Sequence, residues 1–450
     1  LAELIRAGVD VFRINTAHGK IADHEQKVAA IREASRITGT PIGILLDLAG
    51  PKIRLGELVA DPLQCDLGMR LTFLKSDEPQ SPTELTSTYP KLIEELSPGD
   101  CIMLADGLVS LVVESVEPDR AHCRVTAAGE VRSRQGINLP GVKLSVSALQ
   151  RSDLENAMWA ADNEIDFISL SFVRSAEDVN TLRSVLSAHE CTALVIAKIE
   201  KPEALENLEE IVDAADGIMV ARGDLGVEID VAETPIAQKR IIQVCKEKVK
   251  PVIVATQMLE SMHHSARPTR AEASDVANAI LDGTDACMLS GETAVGDHPV
   301  KAVEMMSRIM RVTEQSLQHD MSTRIESNLV HPITTAVTQA ATTIAESIGA
   351  AMIIIATRSG GTAWVKSKSR SKIPTLGVSD CDATLRRINL FWGIKPIGIR
   401  CMGHPADIRS EVCQWAKEKR FLEVGDRIVF VSGSGVVEKA HNSVVVHTVE

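Results

Sequence analysis

Lys198 and Glu200 stand two residues apart in ALVIAKIE (193–200), an otherwise apolar run, and Arg13 and Asn15 repeat that spacing in VDVFRIN (9–15). A two-residue step along a strand puts both side chains on one face, so each run carries a polar pair on a single side. Buried lysines and carboxylates need partners. Four further runs carry polar residues at the same end: Asp47 closes PIGILLD (41–47), Arg222 and Asp224 close GIMVARGD (217–224), Thr256 falls in PVIVATQ (251–257), and Ser290 and Glu292 fall in ACMLSGE (286–292). A single charged strand end is ordinarily a solvated rim or an ion pair, but six in one chain point to a shared site. Glu200 and Asp224 are hard oxygen donors of the kind that hold Mg²⁺ while leaving positions for water and substrate. Lys198 and Arg13 add positive charge for an anionic partner. The competing reading is a buried lysine–carboxylate network that only fixes packing.

ARGDLG (221–226) places Gly223 and Gly226 around Asp224 where a strand gives way to a turn or short helix, and free N–H groups there can receive a carboxylate or phosphate. Gly-Asp is also an ordinary turn dipeptide. His18 is either a nucleotide contact or a plain loop histidine. Met258, Met262, His263 and His264 read as packing or surface residues, since no third ligand stands at metal spacing near the histidine pair. In TRSGGTA (357–363), Thr357, Ser359, Gly360, Gly361 and Thr362 follow an apolar strand and precede a helix, an arrangement that suits either a phosphate cradle or a Gly-rich turn.

The elements that must position these residues alternate short β-branched runs with amphipathic helical stretches, the pattern of repeated βα units around a parallel sheet. DFISLSF (166–172) completes a set of seven runs. Ser152 with Glu155 and Thr269 with Glu272 have capping-box spacing, and Pro202 suits a first helical position. Seven strands do not close an eight-stranded barrel, and LAELIRAG opens the chain in a helical pattern, so the alternation predicts a further strand ahead of Leu1. The expected fold is α/β: a (β/α)8 TIM barrel from 1–50 and 146–330, a small β domain inserted at 51–145, and a C-terminal α/β domain over 331–450. The insertion carries alternating segments such as CIMLAD and LVSLVVESV that bury one sheet face. The last domain carries AMIIIAT, PTLGVS, KPIGI, RIVFVSG and SVVVHTV, a mostly parallel sheet.

With 48 basic against 61 acidic residues, the net charge of -13 repels a phosphate backbone and excludes a general nucleic-acid surface. Anionic ligands must therefore be held by local cations. The longest apolar run, near 350–357, is far short of the roughly 20 residues a membrane span needs. Nine cysteines with no C-x-x-C pair read as reduced thiols, and the expected location is the cytoplasm.

RINTAHG (13–19), ILLDLAGPKIRLG (44–56), SRQGINLPG (133–141), ISLSFVRS (168–175), IAKIEKPEAL (196–205), GIMVARGDLGVEI (217–229), VATQMLESM (254–262) and the long block 267–300 resemble, in order, the blocks of the pyruvate kinase family. The resemblance covers almost the whole chain. It implies phosphoryl transfer from phosphoenolpyruvate to ADP, with Mg²⁺ or Mn²⁺ as cofactor, a mobile lid at the insertion, and a regulatory C-terminal domain in a homotetramer. Carried over by position, Lys198 stabilises the phosphoryl group in flight and Glu200 with Asp224 holds the divalent metal. Arg13 contacts the substrate phosphate, Gly223, Asp224 and Thr256 receive the substrate carboxylate, and Arg54 and His18 face the nucleotide. Thr256 with ordered water is a candidate proton route to the enolate. The 357–362 loop resembles the family's effector loop, and a sugar phosphate or nucleotide monophosphate is the expected ligand. K⁺-dependent members carry a serine and a threonine where Ala17 and Leu48 stand, and a glutamate at Lys52. Of Asn15, Ala17, Asp47 and Leu48 only two offer side-chain oxygen, so K⁺ is expected to be dispensable.

Two other functions fit parts of this pattern. A Mg²⁺-dependent aldolase would bind a keto acid through carboxylate-held metal but needs neither Arg54 and His18 nor the insertion. A catalytically dead metabolite sensor should have lost the strand-end charges, all of which are present.

Overall fold

The computed structural model describes residues 1–75, 78–317, 332–432 and 443–450. Its largest sheet has seven parallel strands in chain order: Val11–Asn15, Gly43–Asp47, Phe167–Leu170, Leu194–Ile199, Gly217–Ala221, Val252–Ala255 and Ala286–Met288. Helices cover its outer face, which explains why its strands are apolar on both sides. Ile44, Leu46, Ile168, Val195, Ala197, Ile218 and Val254 pack outward against the helices in one core. The intervening positions form a second layer on the inner face: Leu45, Phe167, Ile196, Met219 and Ile253. One step further along the same face the residue types change to Asp47, Ser169 and Lys198, all buried. The inner face is thus apolar at the amino ends of the strands and charged at the carboxyl ends.

The 51–145 insertion folds on its own core, with a six-stranded, mostly antiparallel sheet and a separate strand pair, Leu63–Cys65 with Gly129–Val131. The chain leaves for it at Gly50, where φ is 64° and a Cβ would lie 2.9 Å from Phe172 Cδ2, so only glycine fits the exit without strain. It returns past Arg174, whose guanidinium donates to the carbonyls of Leu144 (2.5 Å) and Val146 (2.6 Å).

The C-terminal part carries a five-stranded sheet in the order Ile394–Gly398, Thr375–Ser379, Met352–Ala356, Arg427–Ser432 and Ser443–Thr448, the last strand antiparallel. The expected start of this domain at 330/331 lies outside the described residues. Ala363, Ile388, Leu390, Phe391 and Ile394 close over the apolar amino end of the large sheet and share one core with Leu45, Phe167, Ile196, Met219 and Ile253. Polar contacts follow a repeated plan. An aspartate just before a strand accepts an N–H from the first or second residue of the neighbouring strand: Asp166 from Ile44 (2.9 Å), Asp216 from Val195 (2.8 Å) and Asp285 from Val252 (2.8 Å). Two of these also take cations from the C-terminal part, Asp166 from Arg386 (2.7 Å) and Asp285 from Lys368 (2.6 Å) and Arg370 (2.9 Å).

Thr269 and Glu272 form the expected capping box, and Pro202 begins its helix. The other box shifts. Helix Arg151–Asp162 is capped by Gln150 with Asp153, and Ser152 lies inside it. The cause is tertiary: Asp153 accepts from Gln150 N (3.0 Å) and also from Gly50 N (3.3 Å), which sets the helix register against the exit of the insertion. Among the described residues no helix is long and apolar enough to cross a membrane.

Candidate active site

The strands end earlier than the apolar runs do, and the polar residues fall at or just beyond those ends. Glu200 follows Leu194–Ile199 directly, Arg222–Glu228 is a short helix after the fifth strand, and Thr256 and Gln257 form a turn after the sixth. Placed there, the side chains converge on the carboxyl edge of the sheet, where barrel enzymes of this class carry their chemistry.

Lys198 is the centre of a buried polar network. Its Nζ lies 2.8 Å from Glu200 Oε1, donates to Ser171 Oγ at 2.8 Å, and sits 3.4 Å from Asp47 Oδ1. Asp47 Oδ1 also accepts from Ser169 Oγ (2.6 Å), while its Oδ2 takes Arg13 Nε (2.8 Å) and Nη2. Glu200 Oε2 accepts the N–H of Phe172 at 2.7 Å, from a left-handed residue at φ 55°. Ser169 and Ser171 escaped the sequence reading, although their two-residue spacing in ISLSF places them on the face that carries Lys198.

Burial opposes ionisation of Asp47, but Lys198 and Arg13 outweigh it and hold its carboxyl below the usual range. Burial likewise opposes charge on Lys198, and Glu200 and Asp47 reverse this, so its pKa is raised. The depressed Asp47 value contributes stability above the ordinary carboxylate pKa that is lost as pH falls through the folded value. The raised Lys198 value contributes stability below the ordinary lysine pKa that is lost as pH rises through the folded one. Both groups are therefore charged across the neutral range.

Glu200 differs. Burial pushes its pKa up, and the nearby charge of Asp224 pushes the same way, against Lys198 and the Phe172 N–H. Asp224 is half-buried, and among the described residues its carboxylate accepts no hydrogen bond. Two carboxylates whose charges repel in a buried setting are suited to a divalent cation, which would reverse the shift on Glu200.

Thr256 lies at φ 69° and Gln257 at φ 54°, a left-handed pair that for a β-branched threonine costs of order 1–3 kcal/mol. The turn aims Thr256 Oγ1 at the fifth strand's end, where it accepts the N–H of Gly223 at 2.8 Å and donates to Ala255 O at 2.6 Å. Asn15 Oδ1 is turned back onto Ala17 N at 3.0 Å, and Leu48 is fully buried. A cleft between the large sheet and the insertion is lined by Lys52, Asn138, Phe172, Arg174, Lys201 and Asp224.

Other residues lie apart from this network. His18 is exposed before helix Ile21–Thr38, and Arg54 sits in the insertion with its guanidinium on Arg134 O at 3.1 Å. In the 357–362 loop, which follows the C-terminal strand Met352–Ala356, Thr357 Oγ1 accepts from Gly360 N (3.1 Å), Thr362 is buried and Ser359 is exposed. Ser290 and Glu292 form a brace: Glu292 accepts from Leu259 N (3.2 Å) and Ser290 N (2.6 Å). The expectation that His263 has no third ligand nearby needs correcting, because folding brings Glu292 and Glu260 to it with candidate ligand atoms within 4.8 Å of one another. Both Glu292 oxygens are already held by backbone N–H groups, so the brace remains the better description.

Comparison with known proteins gives a consistent picture. A family profile described as pyruvate kinase, barrel domain, matches residues 1–303, and one described as pyruvate kinase, alpha/beta domain, matches 335–447. The pyruvate kinase of Geobacillus stearothermophilus is 40% identical over 442 residues, covering 97% of this chain and 75% of that protein. The pyruvate kinase of Mycobacterium intracellulare is 42% identical over 433 residues, covering 96% and 91%. The crystal structure of a pyruvate kinase from Cryptosporidium parvum superimposes with a TM-score of 0.91 at 33% identity, covering 99% of this chain and 92% of that one.

Proposed function

The chain belongs to the pyruvate kinase family and transfers the phosphoryl group of phosphoenolpyruvate to ADP, and from that premise we propose that Lys198, Arg13, Glu200, Asp224 and Thr256 carry the reaction. The observation behind this assignment is the Lys198 ammonium, buried at the carboxyl edge and held between Glu200, Ser171 and Asp47. Transfer between two polyanions needs positive charge around the equatorial oxygens of the moving group, placed in advance in a site poor in water. Lys198 and Arg13 meet that need, and Asp47 holds both cations in place. Glu200 and Asp224 would hold Mg²⁺ or Mn²⁺, which when bound supplies further charge neutralisation to the phosphoryl oxygens. Gly223, Asp224 and Thr256 receive the substrate carboxylate, which would take over the Gly223 N–H and the Thr256 hydroxyl from their present bonds to Thr256 Oγ1 and Ala255 O, and Thr256 with water carries a proton to the enolate. The insertion acts as the lid, with Arg54 on its side and His18 on the other facing the nucleotide.

The metal assignment predicts a pH-dependent affinity. Protonation of Glu200 competes with the cation, and burial raises the pKa of that group, so Mn²⁺ binding weakens as pH falls towards it. Glu200→Gln should weaken Mn²⁺ by about tenfold or more and remove the pH dependence. Free Mn²⁺ measured by electron paramagnetic resonance reads both; an unaltered affinity in this variant would remove Glu200 from the metal site.

The same reading makes K⁺ dispensable. Asn15 Oδ1 is occupied by Ala17 N, both Asp47 oxygens face cations, Leu48 offers no side-chain oxygen, and the exposed Lys52 lines the cleft. Turnover with tetramethylammonium as the only monovalent cation should match turnover in K⁺ to within about twofold, as an ammonium standing in for the ion requires. A rise of about tenfold or more on adding K⁺ would overturn this.

A further inference from the structure

Arg222 has no role in the chemistry set out above, yet it is a nearly buried cation one residue before Gly223. Its side chain is 10% exposed, and it closes on two elements at once. Nη1 reaches both oxygens of Asp275, at 2.8 and 2.7 Å, on helix Arg270–Asp282. Nη2 donates to the carbonyl of Thr256 at 2.8 Å and to that of Gln257 at 3.3 Å. Those carbonyls belong to the two successive left-handed residues of the turn, which lie where a β-branched residue seldom settles without outside support. A planar fork with fixed donor directions can hold two carbonyls and a carboxylate together, whereas a lysine offers a single point of charge.

We propose that Arg222 is a positioning residue that locks the Thr256–Gln257 turn, and through it fixes the position of Thr256 Oγ1, which accepts the Gly223 N–H, beside the substrate. The inference rests on the reading of Thr256 as the group facing the substrate carboxylate and the enolate. In the second half of the reaction the enolate's C2=C3 electron pair forms the new C3–H bond with a proton delivered from the Thr256 and water side, and the C2 ketone re-forms. Release of the turn swings the hydroxyl off that line. A displacement of about an ångström in such a group can cost on the order of 10²-fold in rate. Asp275 anchors the guanidinium from the next helix, so the alignment depends on a contact outside the substrate pocket.

The test uses the whole chain with Arg222→Lys, Asp275→Asn and Thr256→Val, singly and with each of the first two combined with the third. Lysine keeps the ion pair with Asp275, which favours a folded variant, and circular dichroism melting reports whether it folds. The readouts are kcat/KM for phosphoenolpyruvate and the exchange of pyruvate methyl hydrogens for solvent deuterium in the presence of Mg²⁺ and ATP, followed by NMR. Arg222→Lys is expected to lower both by about tenfold or more, and Asp275→Asn by less. In the Thr256→Val background each should add less than about twofold, because the group they position is gone. A purely architectural role would multiply in both backgrounds, and that outcome overturns the proposal. So does an Arg222→Lys enzyme within twofold of the original, while Thr256→Val is impaired. If instead Thr256→Val keeps kcat/KM and exchange, the reading of Thr256 itself fails and this inference falls with it; should Arg222→Lys not fold, Asp275→Asn decides between the same outcomes.

Discussion

Lys198→Met is expected to lower turnover by about 10³-fold or more while phosphoenolpyruvate still binds, because the lost charge acts mainly on the transferring phosphoryl group. Methionine matches the lysine stem in length and fills the same slot between Ser171 and Glu200 without a cation. The fold is expected to survive, since Asp47 keeps its Arg13 and Ser169 partners and Glu200 keeps the Phe172 N–H. Glu200 loses its nearest positive charge, so its pKa, already raised by burial, should climb further and proton competition with the metal should extend to higher pH. Saturating Mg²⁺ separates the two effects. Steady-state rates at high Mg²⁺ that remain at a tenth of the original or better would remove Lys198 from the mechanism.

The second large effect is expected on stability, at the opposite end of the sheet. Asp285 and Lys368 have side chains 0% and 3% exposed and pair at 2.6 Å between the large sheet and the C-terminal part. Removing one member of such a pair leaves a buried charge without its counter-ion, at a cost of about 3–5 kcal/mol. Asp285→Ala also strands the Val252 N–H and frees Arg370 from its carboxylate. The double change Asp285→Ala with Lys368→Met should recover at least half of the loss, because no orphaned ammonium remains. Trp392 is a local probe: Arg370 lies 4.9 Å from its ring centroid and its Nε1 bonds Glu314 at 2.9 Å. Urea unfolding followed by tryptophan fluorescence should show the single variant losing its midpoint well before the double variant. A double variant less stable than the single one would show that the lysine stem, and not its charge, matters at this contact.

Both predictions draw on one feature of the large sheet, a single inner face with two chemistries. Leu45, Ile196 and Met219 form its apolar floor, which the C-terminal part covers, and Asp47, Ser169 and Lys198 form its charged rim. Arg222 belongs to neither layer. It was legible only as one more charged strand end, because its acceptors are carbonyls of a turn whose left-handed backbone no residue type announced.

Much of the architecture follows from residue order alone. Period-two polarity in VDVFRIN and ALVIAKIE, with βα alternation, is enough to predict parallel strands and the end of the sheet where chemistry gathers, since both are consequences of local backbone geometry. Thr269 with Glu272 was readable for the same reason, the bonds spanning three residues. What the chain order leaves open is which of many distant groups meet. Ser169 and Asp47 are 122 residues apart, Lys368 and Asp285 are 83 apart, and Arg222 and Asp275 are 53 apart. The capping residue at Gln150 was misread because Gly50, far back in the chain, supplies the competing bond that selects the helix register. Local spacing determines periodicity, capping and the side of a strand on which a charge sits; partner choice is decided by burial, which leaves each enclosed charge to seek whatever counter-ion the packed elements bring within reach.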